Sequence, residues 1–138
     1  MGSPIRPNSE HDLANFLKEK KFEKVFILCG KKSYVNSGAK RILGRYLRNK
    51  ITKCFVKCSP YPEISELKKI IVSLRKFSPD LIVAVGGGSV LDYAKMANVI
   101  ENTENLVKQI INSSYPIKKK FTQNWLVCTQ LNQLIKIF

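Results

Sequence analysis

The sequence predicts an α/β fold, a Rossmann-like parallel sheet with helices on both faces, and two observations carry that prediction. Three short runs, Lys24 to Cys29 (KVFILC), Lys53 to Cys58 (KCFVKC) and Asp80 to Val85 (DLIVAV), have the length and the β-branched or aromatic content of strands. Between them lie longer stretches whose apolar residues recur at helical spacing, so strands alternate with helices as in βαβ units. Such units connect by right-handed crossovers and cover both faces of a sheet, which is why the first run is continuously apolar rather than alternating.

Each element has its own local cause. Asp12 to Lys21 places Leu13, Phe16 and Leu17 on one helical face after a polar lead, residues 1–11. The first strand is stopped by Gly30. From Val35 onward, Ala39, Ile42, Leu43, Tyr46 and Leu47 mark one face of a single helix ending near Asn49. The second strand is closed by Ser59-Pro60-Tyr61-Pro62. Ile64, Leu67, Ile70, Ile71, Leu74 and Phe77 mark the next helix, opened by Pro62-Glu63 and ended before Ser78-Pro79. After the third strand, Gly86-Gly87-Gly88-Ser89 leads into a helix with Val90, Ala94, Ala97 and Ile100 on one side. Beyond Ile100 the pattern weakens. Asn102 to Asn112 fits a short helix, Ser113 to Lys120 a basic polar loop, and Trp125 to Thr129 a fourth strand. Val127, Leu131, Leu134, Ile135 and Phe138 fit a helical stripe as well, and both readings stay open. The chain thus divides into the lead 1–11, an α/β domain 12–112 and a C-terminal segment 113–138.

Composition narrows the function classes. At 138 residues one domain with its own core is expected, and 44% hydrophobic with 25% charged residues excludes a disordered or fibrous chain. No apolar run approaches the roughly 18 residues of a membrane span. The polar N-terminus is no secretory signal, and four cysteines without a disulfide framework point to the reducing cytoplasm. The 24 Lys and Arg against 10 Asp and Glu give a net charge of +14, which would favour nucleic acid if the cations formed one patch. They are spread instead over 18–24, 31–32, 50–57, 68–69 and 118–120, with no base-reading motif beside them. Scattered lysines read as solvated faces, and nucleic acid is not the expected partner.

The chemistry-bearing segment is Leu81 to Lys95 (LIVAVGGGSVLDYAK). Glycines between a buried strand and a helix start remove every Cβ from the turn, so an anion can approach the backbone. The helix N-terminus aims free N–H groups and a partial positive charge at that anion. The dinucleotide fingerprint GxGxxG fails at Leu91, and the P-loop fails because no Gly-Lys-Ser/Thr follows. Capping is the bland alternative, with Ser89 as N-cap and Asp92 completing a capping box. It explains Ser89 and Asp92 but leaves three consecutive glycines unexplained.

Gly86-Gly87-Gly88-Ser89-x-x-Asp92-x-Ala94-Lys95 behind Ala84-Val85 resembles the iron-containing (group III) alcohol dehydrogenase family, relatives of glycerol dehydrogenase and dehydroquinate synthase. Val25 to Ala39 looks like that family's first strand, turn and following helix, and Pro60-Tyr61-Pro62 stands where the family usually has Pro-Asn-Pro. The resemblance covers roughly Leu13 to Ile100. It implies that this is the N-terminal, NAD- or NADP-binding portion of an alcohol or aldehyde oxidoreductase. Gly86, Gly87, Gly88 and Ser89 would then hold the pyrophosphate, with Asp92 near the nicotinamide end or supporting the loop. Gly30, Lys31, Lys32 and Ser33 would face the adenine ribose, and Pro62 would lie near the adenine, where Tyr61 departs from the family's Asn. Members preferring NAD tend to carry Asp at the position of Gly30, and Gly followed by two Lys would tolerate a 2′-phosphate.

The family's Fe²⁺ or Zn²⁺ is held by Asp and His residues beyond the glycine motif. This sequence has one histidine, His11, and no Asp after Asp92. The metal and the small alcohol or aldehyde are therefore expected only in a full-length relative. The chain reads as a truncated or frameshifted enzyme or as a half-domain, inactive alone, whose C-terminal apolar residues invite self-association. A non-catalytic phosphate-binding module is the alternative, and a basic nucleic-acid-binding protein the third class. Cys54 and Cys58, four apart on a strand, would share a face, although without further ligands they read as buried free thiols. Cys29 and Cys128 have no His partner for nucleophilic catalysis.

Overall fold

A computed structural model of the chain describes residues 10–19, 22–100, 103–104, 106–111 and 125–128. The elements are α1 (Glu10–Glu19), β1 (Lys24–Gly30), α2 (Lys31–Asn36), α3 (Ala39–Tyr46), β2 (Ile51–Lys57), α4 (Ile64–Phe77), β3 (Leu81–Val85), α5 (Gly88–Val99), α6 (Leu106–Ile111) and β4 (Trp125–Cys128). The four strands form one sheet in the order β2-β1-β3-β4. Every pair is parallel, with Val25 opposite Thr52 and Leu81, and Val83 opposite Leu126. The fold is thus α/β with a parallel sheet, and β4 joins that sheet although it lies beyond residue 112.

Both faces are covered because the chain changes direction across the sheet. The connection from β1 to β2 moves one way and that from β2 to β3 moves back, so right-handed crossovers put α3 and α4 on opposite faces. Accordingly α3 packs with α1, and α4 with α5. Val25 to Cys29 and Leu81 to Val85 are buried throughout, as two-sided covering requires. Phe26, Leu43, Ile70, Ile71, Leu74 and Tyr93 are among the largest fully buried side chains. Each such apolar side chain contributes about 1.5–3 kcal/mol of transfer free energy. β2 is the edge strand and stays largely exposed, Val56 and Ile51 included. Among the described residues no helix is long and apolar enough to cross a membrane.

Three local differences from the sequence expectation have identifiable causes. The single helix drawn from Val35 to Asn49 is two helices. α2 starts directly after β1, at Lys31, and the chain turns at Ser37-Gly38, where Gly38 has φ 71°. The Ser37 hydroxyl accepts from Ala39 N–H at 3.3 Å and helps satisfy the opening of α3. β2 begins at Ile51 and ends at Lys57, one residue short of Cys58. Ser78, not a glycine, takes the left-handed position ending α4 (φ 50°), with its hydroxyl donating to Arg75 C=O at 3.0 Å and Pro79 following. Residues 1–9 and most of 113–138, including Leu131, Leu134, Ile135 and Phe138, lie outside the described residues.

Candidate functional site

The direction change between β1 and β3 opens a crevice at their carboxyl ends, because the segments leaving them, α2 and α5, depart over opposite faces. Gly30 ends β1 and Gly86 follows β3, and a Cβ on Gly86 would stand 3.5 Å from Gly30 N. Val90, one turn into α5, packs into the same place. Its Cγ2 would lie 2.7 Å from a Cβ on Gly86 and 3.9 Å from one on Gly30. Ser33, in the first turn of α2, closes the side of Gly30, its Oγ 3.4 Å from the Cβ position there. Gly30, Ser33, Gly86 and Val90 are therefore one contact group, assembled from two ends of the sheet.

The glycines have different reasons to be glycine. Gly86 is buried with φ 155°, a conformation that L side chains rarely adopt, and it has no room for a Cβ beside Val90. Gly87 has φ −82° and ψ −167°, extended backbone open to any residue, and a Cβ at Gly87 or Gly88 would meet nothing within 4 Å. Both are exposed. The fold itself thus demands glycine at 86 and leaves free space in front of 87 and 88.

That space faces a helix start without a side-chain cap. Gly87, not Ser89, is the N-cap of α5, and no side chain bonds the opening N–H groups. The expected capping box of Ser89 and Asp92 is therefore absent: Ser89 lies already inside the helix, where its hydroxyl is too far along to serve as cap, and Asp92 is exposed. Gly87 C=O accepts from Val90 and Leu91 N–H at 3.1 and 3.2 Å, which starts the helix and leaves the earlier amides for another partner. A diphosphate fits this arrangement: open room at Gly87 and Gly88, uncapped amides, and no acidic residue in the first turn of α5. Lys31 and Lys32 are exposed in the first turn of α2.

Pro62 belongs to a loop held against α5 from the other side. Glu63 N–H donates to Tyr93 Oη at 2.6 Å, and the Tyr93 hydroxyl reaches Glu63 C=O at 3.4 Å. The buried Glu66 carboxylate accepts from Cys58 N–H at 2.7 Å and Ser59 N–H at 3.4 Å. Ser59 Oγ donates to Glu63 Oε1 at 2.8 Å. Burial pushes the Tyr93 phenol up from its ordinary value, and the neighbouring Glu66 and Glu63 carboxylates add to it. Sequence reasoning passed over Val90 as a wedge and Tyr93, Glu63 and Glu66 as loop anchors. The phase of Tyr93, three residues after Val90, puts it on the buried helix face and was the available signal for one of them.

The cysteines and cations are arranged differently from expectation. Cys58 lies past the end of β2, where strand alternation no longer holds, and Cys54 and Cys58 are both exposed rather than buried. Cys54 instead meets buried Cys29 at 3.5 Å, Sγ to Sγ. Four cations do come together: Lys40, Arg41 and Arg45 of α3 and Arg48 just after it line an open groove with Gly44 and with Val35 of α2. Among the described residues no group of three or more His, Cys, Asp or Glu could hold a metal ion, so iron or zinc does not fit here.

The family profile described as iron-containing alcohol dehydrogenase matches residues 5–130. The aldehyde-alcohol dehydrogenase 2 of Entamoeba histolytica is 29% identical over 89 residues, covering 62% of this chain and 10% of that protein. The solved iron-containing alcohol dehydrogenase of Thermococcus thioreducens is 27% identical with a TM-score of 0.57, over 71% of this chain and 26% of its own. The sulfoacetaldehyde reductase of Bifidobacterium kashiwanohense, solved in complex with NAD⁺, shares the fold with a TM-score of 0.66 at 18% identity, over 94% of this chain and 35% of its own. The chain spans a tenth to about a third of the length of these relatives. With its strand order, its glycine turn at the switch point and a profile match over nearly its whole length, this chain belongs to the iron-containing alcohol dehydrogenase family.

Proposed function

We propose that this chain is the dinucleotide platform of an NAD(P)-dependent alcohol or aldehyde oxidoreductase. The observation that carries the reading is the pair Gly87 and Gly88. The fold gives neither a steric reason to be glycine, yet both front the uncapped start of α5 at the switch point. In this reading their backbone and Ser89 receive the pyrophosphate, while Gly86 sets the turn. Gly30, Lys31 and Ser33 border the adenine ribose. With no carboxylate at Gly30 and two lysines after it, a 2′-phosphate is accepted, and NADP(H) binds at least as well as NAD(H). Pro62 lies in the loop that Tyr93 anchors, and Asp92 is exposed one residue before that tyrosine.

The bound dinucleotide supplies hydride chemistry, and the residues of this chain bind and orient it. The metal-dependent half of the family's chemistry is not supplied by them, since the sequence holds one histidine and no carboxylate after Glu104. The platform therefore binds without turning over alcohols, even with Fe²⁺ or Zn²⁺ added. Four cysteines without a disulfide framework suit a reducing, cytoplasmic setting. Titration of the chain with NADPH and NADH, followed by nicotinamide fluorescence, tests the reading. Saturable binding of NADPH at least as tight as NADH supports it. Failure of both to bind overturns it, and a clear NADH preference overturns the ribose assignment.

A further inference from the structure

We propose that Cys54 and Cys29 are a peroxide-sensitive thiol pair that closes to an intrachain disulfide. The two sulfurs are 3.5 Å apart. Cys54 stands opposite Ile27 in the β1–β2 register, so it shares a sheet face with Cys29, two residues further on. Their environments are unequal in the way such a pair requires. Cys29 is fully buried, while Cys54 is exposed on the edge strand, where a small oxidant reaches it. Oxidation-sensing cysteines are accessible, carry thiolate character and sit beside a resolving thiol.

Electrostatics supports this division of roles. The Cys29 hydrogen bond and the nearby Lys40 ammonium hold the Cys54 thiol below its ordinary value of 9.0. The same hydrogen bond, with burial, pushes Cys29 up, so of the two sulfurs the exposed Cys54 is the more readily ionised. Cys54 is therefore the attacking sulfur. It attacks one oxygen of hydrogen peroxide, the O–O bond breaks, and the departing hydroxide takes a proton to leave as water. Cys54 becomes a sulfenic acid and loses its charge, which removes the main cause keeping Cys29 protonated. The Cys29 sulfur then attacks the Cys54 sulfur. The S–O bond breaks, the hydroxide leaves as water with the Cys29 proton, and the S–S bond forms. Each sulfur gives up one electron, and one peroxide becomes two waters.

The sulfurs must close from 3.5 Å to about 2.05 Å. Residues diagonal across two strands have Cα atoms roughly 7–8 Å apart, beyond the roughly 4.4–6.8 Å that a disulfide usually spans, so backbone must move. β2 can supply that movement because it is the sheet's edge, paired on one side only among the described residues. A bond made at this cost is readily reduced again, as labile disulfides are.

The test treats the fully reduced 138-residue chain with hydrogen peroxide, blocks remaining thiols with an alkylating agent, and maps the peptides by mass spectrometry. The expected result is a loss of two thiols and two hydrogens per chain, with the Cys29 and Cys54 peptides joined and released by dithiothreitol. Exposed Cys58, whose sulfur contacts Val56 C=O at 3.6 Å, serves as the internal reference, and Cys58→Ser leaves the product and its rate unchanged. Cys54→Ser, an exposed change checked for native circular dichroism, abolishes the joined peptide and leaves Cys29 reduced. Cys54 accumulating as sulfenic or sulfinic acid with Cys29 still a thiol overturns the proposal. So does a disulfide joining Cys54 to Cys58 or Cys128, or the same Cys29–Cys54 yield from chain oxidised in denaturant.

Discussion

Gly86 and Val90 are packed so closely that a Cβ on the glycine would stand 2.7 Å from Val90 Cγ2 and 3.1 Å from Val90 Cβ. Val90 is β-branched and buried, so it has little freedom to turn aside. The contact locks the end of β3 to the first turn of α5 and brings both against Gly30. The crevice is consequently shaped by packing from within, while its outward side, at Gly87 and Gly88, is left open.

Gly86→Ala is expected to destabilise the fold by about 2 kcal/mol, from overpacking and from an alanine forced to φ 155°. Gly87→Ala should change stability by less than about 0.5 kcal/mol, as an exposed substitution with no clash. Urea unfolding of the two variants measures the contrast. Val90→Ala added to Gly86→Ala should relieve the 2.7 Å contact with Cγ2 but neither the 3.1 Å approach of the Cβ at position 90 nor the backbone component.

Gly87→Val separates binding from folding. Its backbone conformation is available to valine and its surroundings are empty, so the melting temperature should stay near wild type. Dinucleotide affinity should fall at least about tenfold, because the branched side chain takes the room of the diphosphate. Wild-type affinity in a folded Gly87→Val protein would remove the pyrophosphate assignment.

Tyr93→Phe takes away the acceptor for Glu63 N–H, now met at 2.6 Å, and leaves that amide without its partner. A cost of about 1–2 kcal/mol is expected. Hydrogen exchange should quicken at Glu63 and its loop neighbours while β1 and β3 stay protected. Unchanged exchange at Glu63 would mean that the loop is held by Glu66 and Ser59 alone.

Asp80 accepts from Glu23 N–H at 3.0 Å and Lys24 N–H at 2.9 Å. These backbone donors, with Lys24 and Lys50 nearby, hold its carboxyl below the ordinary 3.8. A carboxyl lowered in the folded state adds stability above its unfolded value, and that stability is lost as pH falls through the folded value. Asp80→Asn should therefore cost about 1 kcal/mol at pH 7, the group being exposed and screened. The difference from wild type should shrink below pH 3.8. Urea unfolding at both ends of that range decides it, and a pH-independent difference would refute the linkage.

The sequence by itself determined the alternation of strands and helices, the parallel arrangement, and the glycine turn between β3 and α5. These follow from properties read along the chain: runs such as Leu81 to Val85 are apolar because both faces are covered, and α4 shows an unbroken helical stripe from Ile64 to Phe77. Tertiary structure decided what depends on residues distant in sequence. The stripe from Val35 to Leu47 spans a break at Ser37-Gly38: its buried members, Ala39, Ile42, Leu43 and Leu47, all follow the turn, while Val35 before it is exposed. Three identical glycines are indistinguishable as letters, and only the approach of Val90 and Gly30 separates Gly86, which the fold requires, from Gly87 and Gly88. Likewise the spacing of Cys54 and Cys58 suggested a pair on one strand. The register of β1 against β2, a pairing between residues distant in sequence rather than any local pattern, made Cys29 the neighbour of Cys54 instead.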